Sequence, residues 1–144
     1  MNMGTILLVD DSPDDVALTL RALKKNGMTN HVDVAADGEE ALQYLLPDGG
    51  GEAPLPALVL LDINLPKVSG LEVLRIIRAH DRTRYLPVVV LTTSNEERDI
   101  VETYNLGANS YVRKPVVFGD FLEAVRVVGL YWLLVNQPAV PVHG

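Results

Sequence analysis

The stretch ALVLLDINLPKVSG, residues 57–70, decides the fold of this chain. Its first five residues are apolar throughout, which is typical of a central strand in a parallel sheet that is covered on both faces. A single aspartate, Asp62, follows the strand. Ser69 then stands three residues before Glu72, which is the capping-box spacing of a helix start. The segment therefore predicts a buried strand, an acidic turn and the beginning of a helix.

Four further runs resemble this strand in composition: TILLV (5–9), HVDVA (31–35), PVVVL (87–91) and NSYVR (109–113). The second and the last of these alternate more than the others, so they are predicted to lie nearer an edge of the sheet or to have one face less buried. Helical patterns separate the runs, and the order is strand then helix five times over. Strict alternation predicts right-handed crossovers and an α/β fold built on a doubly wound parallel sheet.

Helix start signals follow the first run. Ser12 followed by Pro13 is typical of an N-cap with proline at the first helical position. Val16, Leu20 and Leu23 then recur at a spacing that predicts one shared helical face.

Similar signals mark the later helices. The capping-box spacing joins Asp37 to Glu40 and Ser94 to Glu97. Gly107 is a predicted C-terminal stop, because glycine adopts the left-handed conformation that commonly ends a helix. A last helix is predicted across the apolar positions between residues 121 and 128.

Length and composition limit the function classes. A chain of 144 residues fits one domain with a full core. It has no cysteine, which excludes a disulfide framework, a thiolate zinc site and a cysteine nucleophile. The formal net charge of −7 disfavours nucleic acid as a partner, because phosphates demand a basic patch.

No targeting or membrane segment is evident. The N-terminal residues carry no basic segment, and the apolar run at 127–135 is far shorter than the roughly 20 residues of a membrane helix. A cytoplasmic protein without membrane association is expected. The Gly- and Pro-rich segment 47–56 is predicted to be a surface loop, the domain to span residues 1–135, and residues 136–144 to form an irregular tail.

Five chemically informative residues follow the predicted strands. Their positions are Asp10 and Asp11 after the first strand, Asp62 after the third, Thr92 after the fourth and Lys114 after the fifth. Each alone could be an ordinary cap, turn or surface residue. Together they fall at the carboxyl ends of the strands, where open α/β sheets bind their ligands.

The chemistry of this set is coherent. Carboxylates gathered at one edge repel one another, by about 4 kcal/mol for a pair at 4 Å and an effective dielectric of 20. They therefore call for a cation, and oxygen-only ligands favour Mg²⁺ or a similar hard ion. Lys114 adds a fixed positive charge, and Thr92 offers a hydroxyl donor. Such a set favours phosphoryl transfer to a carboxylate.

These motifs resemble the receiver domain of two-component response regulators. The matching segments are ILLVDDSPDD, LLDINLPKVSG, VVVLTTS and NSYVRKP, in order, and the resemblance runs from about residue 4 to residue 134. It implies a flavodoxin-like, five-stranded parallel (βα)5 sheet with strand order 2-1-3-4-5. The segments DGEEALQYL, VVVLTTSNEERDI, LGANSYVRKP and LYWLLV further resemble the small regulators that partner bacterial phytochrome histidine kinases.

The resemblance also implies a role for each matching residue. Asp62 would be the nucleophile and phosphorylation site, receiving its phosphoryl group from a phosphohistidine of a sensor kinase. Mg²⁺ would be held directly by Asp11, mainly through water by Asp10, and also by Asp62 and the backbone carbonyl of Asn64. Lys114 would contact the phosphoryl oxygens.

The implied switch consists of Thr92 and Tyr111. Thr92 would move inward to donate to the phosphoryl group, and Tyr111 would turn from exposed to buried. Asn64 and Ser94 would tune the lifetime of the acyl phosphate. The protein would then be a single-domain signalling switch with slow self-dephosphorylation and not an enzyme, and its output would come through protein–protein contact.

Three other functions are disfavoured by the same residues. A phosphatase of the haloacid dehalogenase type needs a second aspartate two positions after its nucleophile. In this chain the residue two positions after Asp10 is Ser12, and the residue two positions after Asp62 is Asn64. A flavin-binding domain needs a phosphate-cradling loop, and the acids of DDSPDD would repel a phosphate. A receiver-like scaffold that is never phosphorylated conflicts with the intact set of functional residues.

The last helix leaves two readings open. Trp132 and its apolar neighbours could pack on the sheet, or they could form an exposed patch for self-association. We expect a homodimer built on this helix and its neighbours.

Overall fold

The computed structural model describes residues 4–25, 28, 30–47, 54–92, 103–108 and 110–113; for Thr92 and residues 110–113 the backbone alone is described. Along the chain, the elements are β1 (Ile6–Val9), α1 (Pro13–Lys25), β2 (Val32–Ala35), α2 (Gly38–Leu45), β3 (Leu58–Leu61), α3 (Gly70–Ala79), β4 (Val88–Thr92) and β5 (Ser110–Arg113). A helical turn at residues 103–105 precedes β5.

The five strands form one parallel sheet in the order β2-β1-β3-β4-β5. This order confirms the predicted fold class, and all five sequence runs coincide with strands. The register pairs Val9 with both Ala35 and Leu61, and Leu61 with Val90. The carboxyl ends of β2, β1, β3 and β4 are therefore aligned, and residues that follow them meet at one edge of the sheet.

The core has two layers, one on each face of the sheet. Every residue of β1 and β3 is buried, as their uninterrupted apolar sequences predicted. Alternate residues face opposite layers, so Leu7 and Val9 join the cluster beneath α2 and α3, whereas Ile6 and Leu8 join the cluster beneath α1. Full burial of each such side chain stabilises the fold by about 1.5–3 kcal/mol. The edge strand β2 is only partly buried, also as predicted.

The predicted helix starts are confirmed where the structure describes them. The Ser12 hydroxyl accepts the N–H of Asp15 at 3.3 Å, the Asp37 carboxylate accepts the N–H of Glu40 at 2.7 Å, and the Ser69 hydroxyl accepts the N–H of Glu72 at 3.2 Å. Each bond satisfies a donor that the first helical turn would leave without a partner.

The predicted inner face of α1 is wrong at one position. Leu20 is 37% exposed, whereas Thr19, Ala22 and Leu23 are buried. Residues 19 and 23 are one turn apart and lie over the same stripe, and Leu20 falls at its margin. Thr19 is polar and Ala22 is small, so neither stands out in the apolar spacing that predicts the inner face of the helix.

The predicted stop at Gly107 is confirmed. Its φ is +93°, in the left-handed region, and its N–H donates to the carbonyl of Tyr104 at 3.0 Å. The N–H of Ala108 donates to the carbonyl of Thr103 at 3.2 Å, which closes the helical turn.

Several predictions lie outside the described residues: the helix start at Ser94, the helix across 121–128, Trp132 and the tail 136–144. The segment 47–56 is described only at residue 47 and at 54–56. Among the helices that the structure describes, none combines the length and apolarity needed to cross a membrane.

Candidate functional site

Three carboxylates meet at the carboxyl edge of the sheet. Asp10 directly follows β1 and Asp62 directly follows the adjacent β3, so the strand register brings them side by side. One oxygen from each of Asp10, Asp11 and Asp62 lies within 4.8 Å of the others. Asp10 is 2% exposed and Asp62 is 8% exposed, while Asp11 lies on the surface. The cluster is therefore buried at Asp10 and Asp62 and open to solvent at Asp11.

Backbone hydrogen bonds fix the two buried members. The N–H of Asp10 donates to the carbonyl of Ala35 at 3.0 Å, and the N–H of Asp62 donates to the carbonyl of Val9 at 3.0 Å. These bonds extend the sheet ladder one residue beyond each strand. Both acids consequently belong to the rigid end of the sheet and not to a loose loop.

Each buried carboxylate is also held by its own turn. Asp10 Oδ1 accepts the N–H of Ser12 at 3.0 Å, and Asp62 Oδ1 accepts the N–H of Asn64 at 3.0 Å. Asp and Asn commonly bond the backbone two residues onward in this way. The bond fixes one oxygen of each carboxylate and so orients the other. A charge-assisted bond of this kind also offsets part of the penalty for burying the acid.

The loop between β3 and α3 folds tightly behind Asp62. The N–H of Gly70 donates to the carbonyl of Ile63 at 2.8 Å and closes the loop at its base. A Cβ on Gly70 would lie 2.1 Å from the carbonyl oxygen of Asp62, so only glycine fits there. Gly70 was not among the predicted site residues. Its signal was a glycine at the first position of a helix, where it contributes poor helix propensity.

The cluster fits a hard divalent cation. Its donors are oxygen atoms, and three negative charges held this close need a positive counter-charge. Octahedral coordination of Mg²⁺ at 2.0–2.1 Å would place neighbouring ligand atoms about 3 Å apart and opposite ones about 4 Å apart. The three carboxylate oxygens lie within 4.8 Å of one another, which is close to these separations. The donor set and its spacing therefore agree with the ion predicted from sequence.

The remaining predicted site residues are described in part. Asn64 is exposed and adjoins Asp62 through its N–H. For Thr92 and Tyr111 the backbone alone is described. Thr92 ends β4 at the same edge of the sheet, and Tyr111 lies in β5 opposite Val90. Lys114 and Ser94 lie outside the described residues. The structure thus brings Asp10, Asp11, Asp62 and Asn64 together.

A second polar cluster lies on the edge strand, away from the acidic site. Asp33 accepts from the Tyr44 hydroxyl at 2.6 Å and contacts His31 Nε2 at 2.7 Å. The hydrogen bond from Tyr44, followed by that to His31, lowers the pKa of the Asp33 carboxyl. Burial and the bond to Asp33 raise the pKa of Tyr44 to about 12. This cluster ties α2 to β2 and stands apart from the carboxylates at the sheet edge.

Comparison with known proteins agrees with this geometry. Residues 6–126 match the family described as the response regulator receiver domain. The probable methanogenesis regulatory protein FilR2 of Methanothrix harundinacea is 43% identical over 136 residues, which cover 94% of this chain and 88% of FilR2. The response regulator Rcp1 of Synechocystis is 39% identical over 136 residues, which cover 93% of this chain and 92% of Rcp1.

Two solved structures are similar across nearly the whole chain. The Mn²⁺-bound form of Rcp1 superposes with a TM-score of 0.86 at 36% identity, covering 95% of this chain and 99% of that one. The phosphorylated cyanobacterial phytochrome response regulator RcpA superposes with a TM-score of 0.87 at 35% identity and the same coverage.

Proposed function

Because the chain belongs to the response regulator receiver domain family, we propose that it is a signalling switch that is phosphorylated on Asp62. The observation that carries the proposal is the meeting of Asp10, Asp11 and Asp62 within 4.8 Å at the carboxyl edge of the sheet. This arrangement can neutralise and orient a phosphoryl donor against a carboxylate nucleophile.

Asp62 is the best nucleophile of the three. Its 8% exposure leaves it at the floor of the cluster but still reachable, whereas Asp10 is 2% exposed. The bond from the Asn64 N–H holds the Asp62 carboxylate in one orientation. A carboxylate oxygen of Asp62 attacks the phosphorus of a phosphohistidine, and an acyl phosphate forms as the P–N bond breaks. The nitrogen that leaves takes up a proton, so the histidine side chain is released as neutral imidazole.

The acidic cluster would hold Mg²⁺ through Asp11, through Asp10 by way of water, and through Asp62 and the carbonyl of Asn64. The bound ion supplies positive charge to the transferring phosphoryl oxygens. The Mn²⁺-bound structure of Rcp1 supports this assignment, as does the donor set. The chain's own residues provide orientation, through the turns at Asp10 and Asp62.

The conformational response is assigned to Lys114, Thr92 and Tyr111. Lys114 contacts the phosphoryl oxygens, Thr92 donates to them, and Tyr111 becomes buried as Thr92 moves. Phosphorylation adds negative charge and acceptor oxygens at Asp62, and the new charge-assisted bonds bias the switch. Asn64 and Ser94 tune the lifetime of the acyl phosphate, which hydrolyses slowly.

The partner is proposed to be a sensor histidine kinase of the phytochrome type, as the similarity to RcpA suggests. The receiver domain spans residues 1–135 and forms a homodimer through its last helix. Its output passes through protein contacts in the cytoplasm, without nucleic acid or membrane. Phosphotransfer profiling against phytochrome and other histidine kinases tests the partner, and equal transfer from unrelated kinases would contradict it.

Acetyl phosphate with Mg²⁺ tests phosphorylation directly. Intact-protein mass spectrometry should show one added phosphoryl group on the wild type and none on Asp62→Asn. Asp14→Asn is the matched control, because Asp14 is an exposed acid in the first turn of α1. It should be modified like the wild type. Equal modification of Asp62→Asn and the wild type would refute Asp62 as the acceptor.

A further inference from the structure

The loop between β3 and α3, residues 62–69, is joined to the beginning of α2 at two points. The first is a backbone contact: a Cβ on Gly38 would lie 2.0 Å from the carbonyl oxygen of Val68, so the helix and the loop touch without an intervening side chain. The second is an ion pair, in which Lys67 Nζ lies 3.6 Å from Asp37 Oδ2. The loop that carries Asn64 is therefore braced against α2.

Asp37 uses its two oxygens for two different elements. Oδ1 accepts the N–H of Glu40 at 2.7 Å and caps α2, while Oδ2 faces Lys67. The Asp37 side chain is 16% exposed and that of Lys67 is 60% exposed, so the ion pair is shielded from water on the aspartate side and open on the lysine side. A carboxylate in this position gains more from a cationic neighbour than a fully exposed one does.

Lys67 has an unusual backbone for this role. Its φ is +65°, in the left-handed region that residues other than glycine, asparagine and aspartate rarely adopt. Lys67 lines a cavity of about 290 Å³ together with Asp37, Glu39, Glu40 and Gln43. Lys67 supplies the positive charge among these five residues.

We propose that Lys67 is a positioning residue for the acidic site. Its ion pair with Asp37 holds the loop 62–69 against α2, and the loop in turn places Asn64, whose N–H orients the Asp62 carboxylate. The inference rests on the proposed function, since the property it affects is the binding of Mg²⁺ at that carboxylate.

Simple electrostatics makes a different prediction for the same residues. If Lys67 and Asp37 acted only through their charges, removing the lysine would strengthen Mg²⁺ binding and removing the aspartate charge would weaken it. A positioning role requires both substitutions to weaken Mg²⁺ binding, because either one breaks the ion pair between Lys67 and Asp37. The sign of the effect at Lys67 therefore separates the two explanations.

The experiment measures the Mg²⁺ dissociation constant by titration calorimetry for the wild type, Lys67→Met, Asp37→Asn, the double variant and Lys67→Arg. Asparagine preserves the helix cap at residue 37. Lys67→Met and Asp37→Asn should each raise the Mg²⁺ dissociation constant about two- to fivefold, which is the range for a solvent-accessible ion pair. The double variant should bind Mg²⁺ no more weakly than the weaker-binding of these two variants, and Lys67→Arg should keep most of the wild-type affinity.

Lys24→Met is the control for net charge, because Lys24 is an exposed lysine in the last turn of α1. It should leave the affinity close to that of the wild type. Amide hydrogen exchange should also quicken at residues 63–69 in Lys67→Met, a change that a purely electrostatic role would not produce. Equal or tighter Mg²⁺ binding by Lys67→Met would overturn the inference. Absence of Mg²⁺ binding by the wild type would overturn the proposed function itself.

Discussion

Replacement of Arg78 by methionine should destabilise the fold through a single hub of hydrogen bonds. The half-buried Arg78 guanidinium lies near the end of α3. Its Nη1 donates to the carbonyls of Leu86 at 2.7 Å and Arg84 at 3.0 Å, and its Nε donates to the carbonyl of Gly107 at 2.9 Å. Burial lowers the pKa of this guanidinium. One side chain thereby fastens the segment before β4 and the segment before β5 to the same helix.

The magnitude follows from the exposure of the three acceptors. The bonds to Arg84 and Gly107 are exposed, so water can replace the lost donor at little cost. The bond to the Leu86 carbonyl is partly buried, and leaving that acceptor without a donor costs about 1–3 kcal/mol. Methionine retains much of the packing of the arginine stem. We expect the free energy of unfolding to fall by about 2 kcal/mol.

Urea denaturation followed by circular dichroism measures this loss. The midpoint should fall while the slope of free energy against urea stays unchanged, because the surface exposed on unfolding is the same. Arg75→Met is the matched control, since Arg75 is exposed on the same helix and pairs with Glu72. It should cost less than about 1 kcal/mol. If Arg78→Met lowered the midpoint no more than Arg75→Met does, the hydrogen bonds of Arg78 would not stabilise the fold as argued.

Three further predictions concern packing and titration. Gly70→Ala should destabilise the fold by more than about 3 kcal/mol in urea denaturation, because its Cβ would meet a carbonyl oxygen at 2.1 Å. Leu23→Ala should cost about 2–4 kcal/mol, whereas Leu20→Ala should cost less than about 1 kcal/mol, because only the first is buried. The stability that Tyr44 contributes is complete below its unfolded pKa of 10.0 and is lost as the pH rises toward its folded pKa of about 12. The stability that Asp33 contributes is complete above its unfolded pKa of 3.8 and is lost as the pH falls below that value. Unfolding measured against pH should show both losses in the wild type, and the alkaline loss should be smaller in Tyr44→Phe.

Distinct outcomes would contradict each of these predictions. A stable Gly70→Ala variant would mean that the loop can move away from α3. Equal losses for Leu20→Ala and Leu23→Ala would mean that α1 sits on the sheet in another rotation. An alkaline loss of the same size in Tyr44→Phe and the wild type would assign that loss to other groups.

Local sequence signals predicted most of the fold. Strands β1, β3 and β4 were recognised because short, uninterrupted apolar runs are typical of a sheet covered on both faces. The helix starts at Ser12, Asp37 and Ser69 were recognised because capping is a bond between residues three apart, so it is written in the local sequence. The acids of the site were recognised because Asp10 and Asp62 directly follow a strand and Asp11 comes next to Asp10.

Other features depended on contacts between segments far apart in the chain. Apolar spacing predicted Leu20 on the inner face of α1, but Thr19 and Ala22 are the residues that lie buried there beside Leu23. Gly38 carried no local sign of its contact with Val68, since the two come together only when α2 packs beside the loop after β3. Such contacts depend on how whole elements dock, and pattern and propensity do not encode docking residue by residue.

The sequence by itself determined the alternating α/β fold, the strand that precedes Asp62 and the acids that surround it. Tertiary structure alone decided that one oxygen each of Asp10, Asp11 and Asp62 would lie within 4.8 Å. It also decided that Lys67 would face Asp37 across two elements. The reason is that hydrophobic periodicity and capping act over a few residues, whereas the distance between two charges depends on strand register and on the packing of helices against the sheet.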